Sequence, residues 1–270
     1  MQPWTNFNIK ALSPSSLNTF VHSPAEWVQS YVWKMRSPVG SAAKRGNAVE
    51  AGIVKVLVEK ASLEHGIAEA HSYFDKATAL TPEPIEKKTK QRNMIEGMVT
   101  QGVQVLAQYG EPDFPRDAKG NIKKKNQFGE VSVVQHSSTW TDDDIGIPCT
   151  GYIDLYYPQH GMIVDIKTKD SMPKDITNAE KRQGASYLAG KGYDNHEMRF
   201  LLLTPKKNQT LMLHEPSQKI AEVKEIARTL KRFLSLSNDK EVLKSLVYPN
   251  FDDWHYNEQA IEKAKKVWTA

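Results

Sequence analysis

Segments 149–157, CTGYIDLYY, and 162–169, MIVDIKTK, decide the fold of this 270-residue chain. Both are short and rich in β-branched, aromatic and other apolar residues, a composition typical of strands that a domain buries. Between them stands Pro158-Gln159-His160-Gly161, which favours a tight turn. The two segments are therefore predicted to pair as antiparallel strands.

Asp165 and Lys167 interrupt the apolar run of the second segment. Side chains alternate along a strand, so these two project from the same face, and Ile166 between them points into the core. Antiparallel pairing of the segments would bring Asp154 close to Asp165. Two neighbouring carboxylates are costly unless a cation compensates them, and Mg²⁺ or Mn²⁺ prefers such oxygen ligands. Such a metal could acidify a bound water, with Lys167 orienting or deprotonating it or pairing with a phosphate.

An Asp-x-Lys pattern on a strand also arises by chance, and it then marks an ordinary solvated face. Two features of this sequence favour the chemical interpretation. The residues preceding Asp165 are apolar, and a second aspartate lies eleven positions earlier, on the strand predicted to pair with it.

Outside these segments the spacing of the apolar residues changes twice along the chain, from helical to strand-like and back to helical. Residues 13–109 favour helices, the first of them capped by Ser15 or Ser16. The predicted helices cover 42–60, 63–79, 84–109, 175–190 and parts of 217–270, and the other predicted strands cover 130–136, 199–204 and 209–215. Segment 110–126, rich in Pro, Gly, Asp and Lys, is predicted to be an exposed loop. Strands with helices on either side in sequence predict an α/β or α+β sandwich built on a mixed sheet.

The composition is that of a globular domain, with 39% hydrophobic and 25% charged residues. A net charge of +4 permits a polyanionic partner without requiring one. Cys149 is the only cysteine, which excludes an internal disulfide or a four-cysteine metal site and favours a reducing compartment, the cytoplasm. The sequence has no apolar run of bilayer length, no secretory signal and no phosphate-binding glycine loop, so neither a membrane partner nor an ATP-driven motor is expected.

Three spaced motifs resemble the core of RecB-type nucleases of the PD-(D/E)XK superfamily: Gly151-x-x-Asp154, Asp165-x-Lys167 and Gln183-x-x-x-Tyr187. Two further stretches are similar to the N-terminal part of that family. They are Leu12-Ser-Pro-Ser-Ser-Leu17-x-x-Phe20-x-x-Ser23-Pro24 and Gly46-Asn-Ala-Val-Glu50. The glutamate in the last stretch is closer to the λ-exonuclease-like members than to those with histidine.

The resemblance implies roles for individual residues. Catalytic roles fall to Asp154, Asp165, Lys167, Gln183 and Tyr187. Mg²⁺ or Mn²⁺ would be held by the carboxylates of Glu50, Asp154 and Asp165 and the carbonyl of Ile166. For Glu50 the alternative is a surface carboxylate on a helix, and for Gln183 and Tyr187 it is an ordinary amphipathic helix.

Substrate contacts are predicted for Ser13, Ser15, Glu130 and the run Lys123-Lys124-Lys125, which could grip a phosphate backbone. A charge run in a polar loop is also compatible with simple solvation. Relatives with an iron–sulfur cluster carry a cysteine before the proline at the position of Ser23, and three more near the C-terminus. This chain has neither, so no cluster is expected, and the C-terminal helices with Trp254 and Trp268 would take its structural place.

The resemblance implies a restriction-endonuclease-like α/β core within one domain over 1–270: a mainly helical lobe (1–110), a catalytic sheet core (128–215) and a helical cover (216–270). It implies a metal-dependent DNA exonuclease of phage or bacterial DNA recombination, repair or degradation, acting in the cytoplasm, or in the host cytoplasm if the protein is viral. Three alternatives stay open: an endonuclease of the same fold, an inactive DNA-binding or assembly module, and an unrelated enzyme with a chance Asp-x-Lys. DNA is the expected partner, and a homo-oligomer or a single-strand annealing or binding protein is compatible with the resemblance.

Overall fold

The computed structural model describes residues 2–127, 130–252 and 258–269, without the side chains of 126, 127, 130–132, 258 and 259. The N-terminal part is helical, as predicted. Its helices are α1 (Pro3–Asn6), α2 (Pro14–His22), α3 (Pro24–Trp27, continued by a π-helical turn, Val28–Val32), α4 (Ser41–Leu57), α5 (Leu63–Thr78), α6 (Ile85–Arg92) and α7 (Ile95–Leu106, continued by a 3₁₀ turn, Ala107–Tyr109).

Two of the predicted boundaries in this part are wrong. The cap of α2 is Ser13 rather than Ser15 or Ser16, because Ser13 accepts from the backbone of Ser16 while the Ser16 hydroxyl accepts from the backbone of Ser13. Pro14 then occupies the first helical position, where its missing N–H costs nothing. The predicted helix 84–109 is two helices, since the chain turns at Asn93 and Met94 between α6 and α7.

The sheet region contains eight strands in the described part of the chain. They are β1 (Lys124–Gln127), β2 (Glu130–Val133), β3 (His136–Trp140), β4 (Cys149–Ile153), β5 (Leu155–Tyr157), β6 (Met162–Thr168), β7 (Glu197–Leu203) and β8 (Asn208–Met212). The predicted loop 110–126 therefore ends in a strand, and the predicted strand 130–136 is two strands. β2 pairs with β1 and β3 pairs with β4, so the chain changes partner between them.

A mixed four-stranded sheet carries the order β5-β6-β7-β8. β5 and β6 are antiparallel, as the sequence predicted, with Leu155 opposite Val164. β6 and β7 are parallel and are connected through helix α8 (Asn178–Lys191), close to the predicted 175–190. The predicted pairing is wrong for residues 149–153, because a bend at Asp154 separates β5 from β4 and β4 pairs with β3 instead.

Helices cover both faces of the sheet, and each face has its own apolar core. Ile163 and Phe200 pack on one side with residues of α8 and of α9 (Pro216–Ser235), including Leu230. Val164 and Ile166 pack on the other side with α4, α5 and α7. An α/β fold with a mixed sheet between helices is therefore confirmed.

The C-terminal part adds α10 (Lys240–Ser245) and α11 (Glu258–Trp268) after α9. The Trp268 indole donates to the carbonyl of Val247 at 3.0 Å, which holds the end of α11 against the segment after α10. Trp254 lies outside the described residues. Among the described helices, none combines the length and apolar character needed to cross a membrane.

Candidate active site

Asp154 occupies the bend between β4 and β5, where the strand would otherwise continue. Its Oδ2 accepts a hydrogen bond from the backbone N–H of Ile166 at 2.8 Å. This bond fixes the carboxylate beside the middle of β6. The structure thus brings Asp154 next to the Asp165–Lys167 segment, as antiparallel pairing predicted, although through a side-chain contact at a strand break.

Asp165 and Lys167 project from the same face of β6, and Ile166 packs into the opposite core. The Lys167 Nζ lies 2.6 Å from Asp165 Oδ2, and only 1% of the Asp165 side chain is exposed. Asp165 Oδ1 is buried and receives no hydrogen bond from any described residue. A buried carboxylate oxygen without a donor is an energetic cost, and it marks a position that a bound cation would satisfy.

Helix α8 supplies the next two groups through one face. Lys167 Nζ donates to Gln183 Oε1 at 2.9 Å, and Gln183 Nε2 donates to the Tyr187 hydroxyl at 2.6 Å. A continuous chain of polar contacts therefore runs from Asp165 through the lysine to α8. Gln183 and Tyr187, which the motif places four residues apart, are thus linked by hydrogen bonds to the strand that carries Asp165 and Lys167.

The start of α8 is fixed by a capping box in which Thr177 accepts from the backbone of Glu180 and Glu180 accepts from the backbone of Thr177. Lys169 Nζ also lies 2.6 Å from Glu180 Oε1, so the end of β6 is tied directly to the first turn of the helix. These contacts set the position of α8 along the strand, and with it the position of Gln183.

Gly151 is required by the close approach of α8 to β4. A Cβ at this position would lie 2.5 Å from Cε1 of Tyr187 and 3.2 Å from Cγ of Pro14. No side chain larger than hydrogen fits there without moving the tyrosine ring. Gly46, the glycine of the N-terminal motif, has no such restriction, since its nearest neighbour would be Thr168 Oγ1 at 3.6 Å.

Glu50 reaches the same region from α4, and Gln135 links it to Asp154. The Gln135 amide nitrogen lies 2.7 Å from Glu50 Oε1 and 3.2 Å from Asp154 Oδ1. Donation to both carboxylates requires the amide nitrogen, not the oxygen, to face them. Sequence reasoning missed Gln135, because a lone glutamine between two short strands carries no motif.

Burial dominates the electrostatics of the three carboxylates. It raises the pKa of Asp154 to about 7, helped by the charge of Asp165. Burial also raises the pKa of Asp165, and it raises that of Glu50 well above its ordinary value, helped by the charge of Asp154. Without a cation the site therefore retains protons that isolated carboxyl groups would have lost.

Lys167 responds in the opposite sense. Burial alone would lower its pKa, but the neighbouring charges of Asp165 and Asp154 outweigh burial and raise it. The ammonium group is therefore held protonated between the two aspartates. In this state Lys167 can donate hydrogen bonds but cannot accept a proton.

A cleft of about 530 Å³ opens directly in front of this cluster. Of the residues predicted at the site, it is lined by Ser13, Ser15, Glu50, Lys125, Asp154, Gln183 and Tyr187. Asp165 and Lys167 are not part of this lining, and Lys167 contacts the lining residue Gln183. A ligand in the cleft would meet Asp154 and Glu50 first.

Two of the predicted substrate contacts, Lys123 and Lys124, do not reach the lining of the cleft. Lys124 Nζ lies 2.8 Å from Glu59 Oε1, and the exposed Lys123 does not line the cleft. The backbone of Glu130 belongs to β2, but its side chain is outside the described part of the structure. Of the lysine run, only Lys125 reaches the lining.

The donor set suits a hard divalent cation, because it consists of carboxylate oxygens and Asp165 Oδ1 has no partner among the described residues. Within that same part of the chain, no three acidic, histidine or cysteine side chains are gathered closely enough to form a ready-made metal cluster. Gln135 and Lys167 stand between or beside the carboxylates instead. Metal ligation by Glu50, Asp154, Asp165 and the Ile166 carbonyl therefore stays a prediction.

One family model matches residues 43–199, more than half of the chain, and its description is "PDDEXK-like domain of unknown function (DUF3799)". The matched region contains Glu50, Asp154, Asp165, Lys167 and the Gln183–Tyr187 pair. The serine-rich stretch around Ser13 precedes it. A search of curated proteins gave no match.

Proposed function

Because the chain belongs to the PDDEXK-like domain family DUF3799, which places it in the PD-(D/E)XK nuclease superfamily, we propose that it is a divalent-metal-dependent DNA exonuclease. The observation that carries the proposal is the pair of buried carboxylates of Asp154 and Asp165. Asp165 is joined through Lys167 to Gln183 and Tyr187, and these two residues line the open cleft together with Asp154. A purely structural ion pair has no need of a second buried carboxylate beside it. Two such groups are unfavourable together unless a cation enters.

Nucleases of this superfamily usually use divalent metals, and Asp154 and Asp165, assisted by Glu50 and the Ile166 carbonyl, would hold Mg²⁺ or Mn²⁺ here. The metal would supply an acidified water and neutralise charge that develops on the phosphate. Asp154 is already oriented by the Ile166 N–H and by the Gln135 amide, and it lines the cleft together with Glu50.

Lys167 acts in this proposal as a charged donor. Asp165 and Asp154 raise its pKa in the cation-free site, and as a charged group it orients the attacking water or pairs with the phosphate. Gln183 Oε1 accepts a hydrogen bond from the Lys167 ammonium group and so keeps it in place, and the Tyr187 hydroxyl accepts one from the glutamine amide. Removing the Gln183 side chain is therefore expected to let the Lys167 ammonium group leave this position.

The exonuclease assignment and the biological role rest on the resemblance to RecB-like and λ-exonuclease-like nucleases, without an iron–sulfur cluster. We place the activity in phage or bacterial DNA recombination, repair or degradation, with DNA as partner. We also propose that the protein forms a homo-oligomer and that a single-strand annealing or binding protein is a further partner. A cleft of ligand size is consistent with the binding of a strand end.

The test is a cleavage time course on end-labelled linear duplex, single-stranded and closed circular DNA, with Mg²⁺ or with EDTA. Wild type runs beside Asp165→Asn and Asp143→Asn, the latter an exposed aspartate outside the cleft that controls for loss of one carboxylate. We expect Mg²⁺-dependent loss of linear DNA only, abolished by Asp165→Asn and unchanged by Asp143→Asn.

Other outcomes would redirect the assignment. Cutting of closed circles would make the protein an endonuclease of the same fold. DNA binding with no cleavage of any substrate would indicate a binding or assembly module. Cleavage that persists in EDTA or in Asp165→Asn would sink the proposed active site.

A further inference from the structure

Tyr152 stands out on the wall of the cleft, two residues before Asp154. It lies on β4 between the buried Gly151 and Ile153, yet 58% of it is exposed. It contributes to the lining of the cleft together with Thr150, which lies on the same face of β4. A large aromatic ring is thus presented to solvent beside the buried carboxylates.

No described residue gives the Tyr152 ring or hydroxyl a hydrogen bond, an ion pair or an aromatic partner. Tyr156, on the next strand, differs, since its hydroxyl pairs with His196 at 3.0 Å and Lys191 lies over its ring. The exposed Tyr152 is therefore not explained by packing within the fold. Exposing a ring of this size has a cost in water that a ligand could recover.

The cleft offers few unpaired cations to a ligand held by its phosphates alone. Its lining includes the carboxylates of Glu50, Glu59, Glu69 and Asp154 against the ammonium groups of Lys55 and Lys125. Lys55 is paired with Glu59 at 2.7 Å, which leaves Lys125 as the cation of the lining without an ion pair among the described residues. A neutral base face needs no such cation.

The chemistry of stacking limits which form of DNA the ring can bind. In a duplex each base already stacks on its neighbours and pairs with its complement, so its face is not available to a side chain. A single strand, or the frayed end of a duplex, presents bases whose faces are free to stack. A cleft of about 530 Å³ has room for a group of small-ligand size.

We propose that Tyr152 is a stacking platform for a nucleobase, and that the substrate entering the cleft is a single DNA strand or the frayed end of a duplex. The inference rests on the proposed function and names its substrate class. Stacking on an aromatic ring is tolerant of base identity, because every base has a π-face. The platform would place the strand so that the phosphate next to the stacked base reaches Asp154 and Glu50.

Binding of a fluorescent single-stranded oligonucleotide, measured in EDTA to prevent cleavage, tests this role. Wild type is compared with Tyr152→Phe, Tyr152→Ala and Tyr193→Ala, the last a tyrosine that is 43% exposed outside the cleft. We expect Tyr152→Ala to bind about tenfold more weakly, within the range of base–aromatic stacking, while Tyr152→Phe and Tyr193→Ala bind like wild type. The thermal midpoints should be equal, because Tyr152 has no partner in the fold.

The same measurement with Mg²⁺ is made in the Asp165→Asn background, so that bound DNA stays intact. Single-stranded DNA should compete better than blunt duplex in both conditions. Equal binding by wild type and Tyr152→Ala would overturn the stacking role, as would an equal loss in Tyr152→Phe, which would point to the hydroxyl. If wild type cleaves DNA and Tyr152→Ala binds and cleaves it equally well, the stacking role fails while the proposed function stands. If wild type neither binds nor cleaves DNA, the proposed function fails as well.

Discussion

At the scale of single residues, the site is governed by how much charge a buried cluster tolerates. Asp154, Asp165 and Glu50 are each pushed towards their protonated forms by burial, and Lys167 is held charged by the aspartates. The metal-free protein therefore stores an electrostatic cost that a cation would relieve. Two predictions follow from the partners of these groups.

Asp154→Asn should alter how stability depends on pH in the metal-free protein. The pKa of Asp154 rises from 3.8 to about 7 on folding, so the folded state binds its proton more tightly than the unfolded chain does. The stability contributed by the protonated form is then lost as the pH rises from 3.8 to about 7. Urea unfolding in EDTA at pH 5 and pH 8 should show wild type losing more stability between these values than Asp154→Asn, which keeps an oxygen for the Ile166 N–H.

Asp143→Asn is the control for this measurement, and it should retain the pH dependence of wild type. Equal pH dependence in wild type and Asp154→Asn would contradict the raised pKa. Adding Mg²⁺ at pH 8 should stabilise wild type more than Asp154→Asn, because the cation favours the ionised carboxylate.

Gln135→Met should lower the stability of the metal-free protein at pH 8. The substitution keeps the length of the side chain but removes the donor shared by Glu50 and Asp154. Loss of a donor to buried acceptors typically costs about 1–3 kcal/mol. Gln104→Met, at an exposed position of α7, is the matched control, and a fall in the free energy of unfolding no larger than that of the control would argue against a bridging role.

At the scale of elements, three pieces of chain must meet within a hydrogen bond's length. The break between β4 and β5 presents Asp154, the face of β6 presents Asp165 and Lys167, and α8 presents Gln183 and Tyr187. The close packing of α8 sets these distances. Glycine permits this packing because it has no Cβ. Gly184 shows the same requirement on the other side, where a Cβ would lie 2.6 Å from the ring of Phe200.

Gly151→Ala should destabilise the protein by about 1–3 kcal/mol, the usual cost of forcing extra volume into a packed contact. The added methyl group must displace the Tyr187 ring, so nuclease activity should fall as well. Gly46→Ala is the matched control, because its Cβ meets only an ordinary contact and alanine favours the interior of α4 by up to about 1 kcal/mol. Urea unfolding decides the matter, and equal effects of the two substitutions would refute the packing argument.

At the scale of the whole molecule, one sheet separates two apolar cores, and the described residues of 1–270 are predicted to unfold as one domain. Ile53 is fully buried in the core shared by α4, α5 and α7, whereas Leu230 is fully buried in the core under α8 and α9. The buried tryptophans Trp4, Trp27 and Trp140 all belong to the second core. Fluorescence from the described tryptophans therefore reports on one side of the sheet, while far-UV circular dichroism reports on both.

Ile53→Val should lower stability by about 0.5–1.5 kcal/mol and Leu230→Ala by about 2–5 kcal/mol, each measured by urea unfolding with both probes. If the chain is one cooperative domain, each substitution moves both transitions by the same amount, and the double variant shows the sum to within about 0.5 kcal/mol. A shift after Ile53→Val that is seen by circular dichroism but not by fluorescence would mean that the helical lobe unfolds separately.

The sequence by itself determined the parts of this protein that depend on local periodicity. Alternation along 162–169 put Asp165 and Lys167 on one face, and the pairing of β5 with β6 followed from two apolar runs and a turn. Helical spacing located α4, α5 and α8 to within a few residues, whereas 217–270 was predicted to be helical only as a zone and contains α9, α10 and α11. These features are encoded by neighbours in the chain, so no long-range contact is needed to infer them.

Only the tertiary structure decided which polar groups share the site and which of them meet the cleft. Gln135 and Tyr152 carry no pattern in the sequence, and Lys123 and Lys124 look equivalent to Lys125 until the fold places only Lys125 in the lining. The change of pairing partner after β2 likewise depends on the pairing of β3 with β4. Each of these outcomes is set by contacts between segments far apart in the chain, and the free energy of such contacts is not written in the local order of residues.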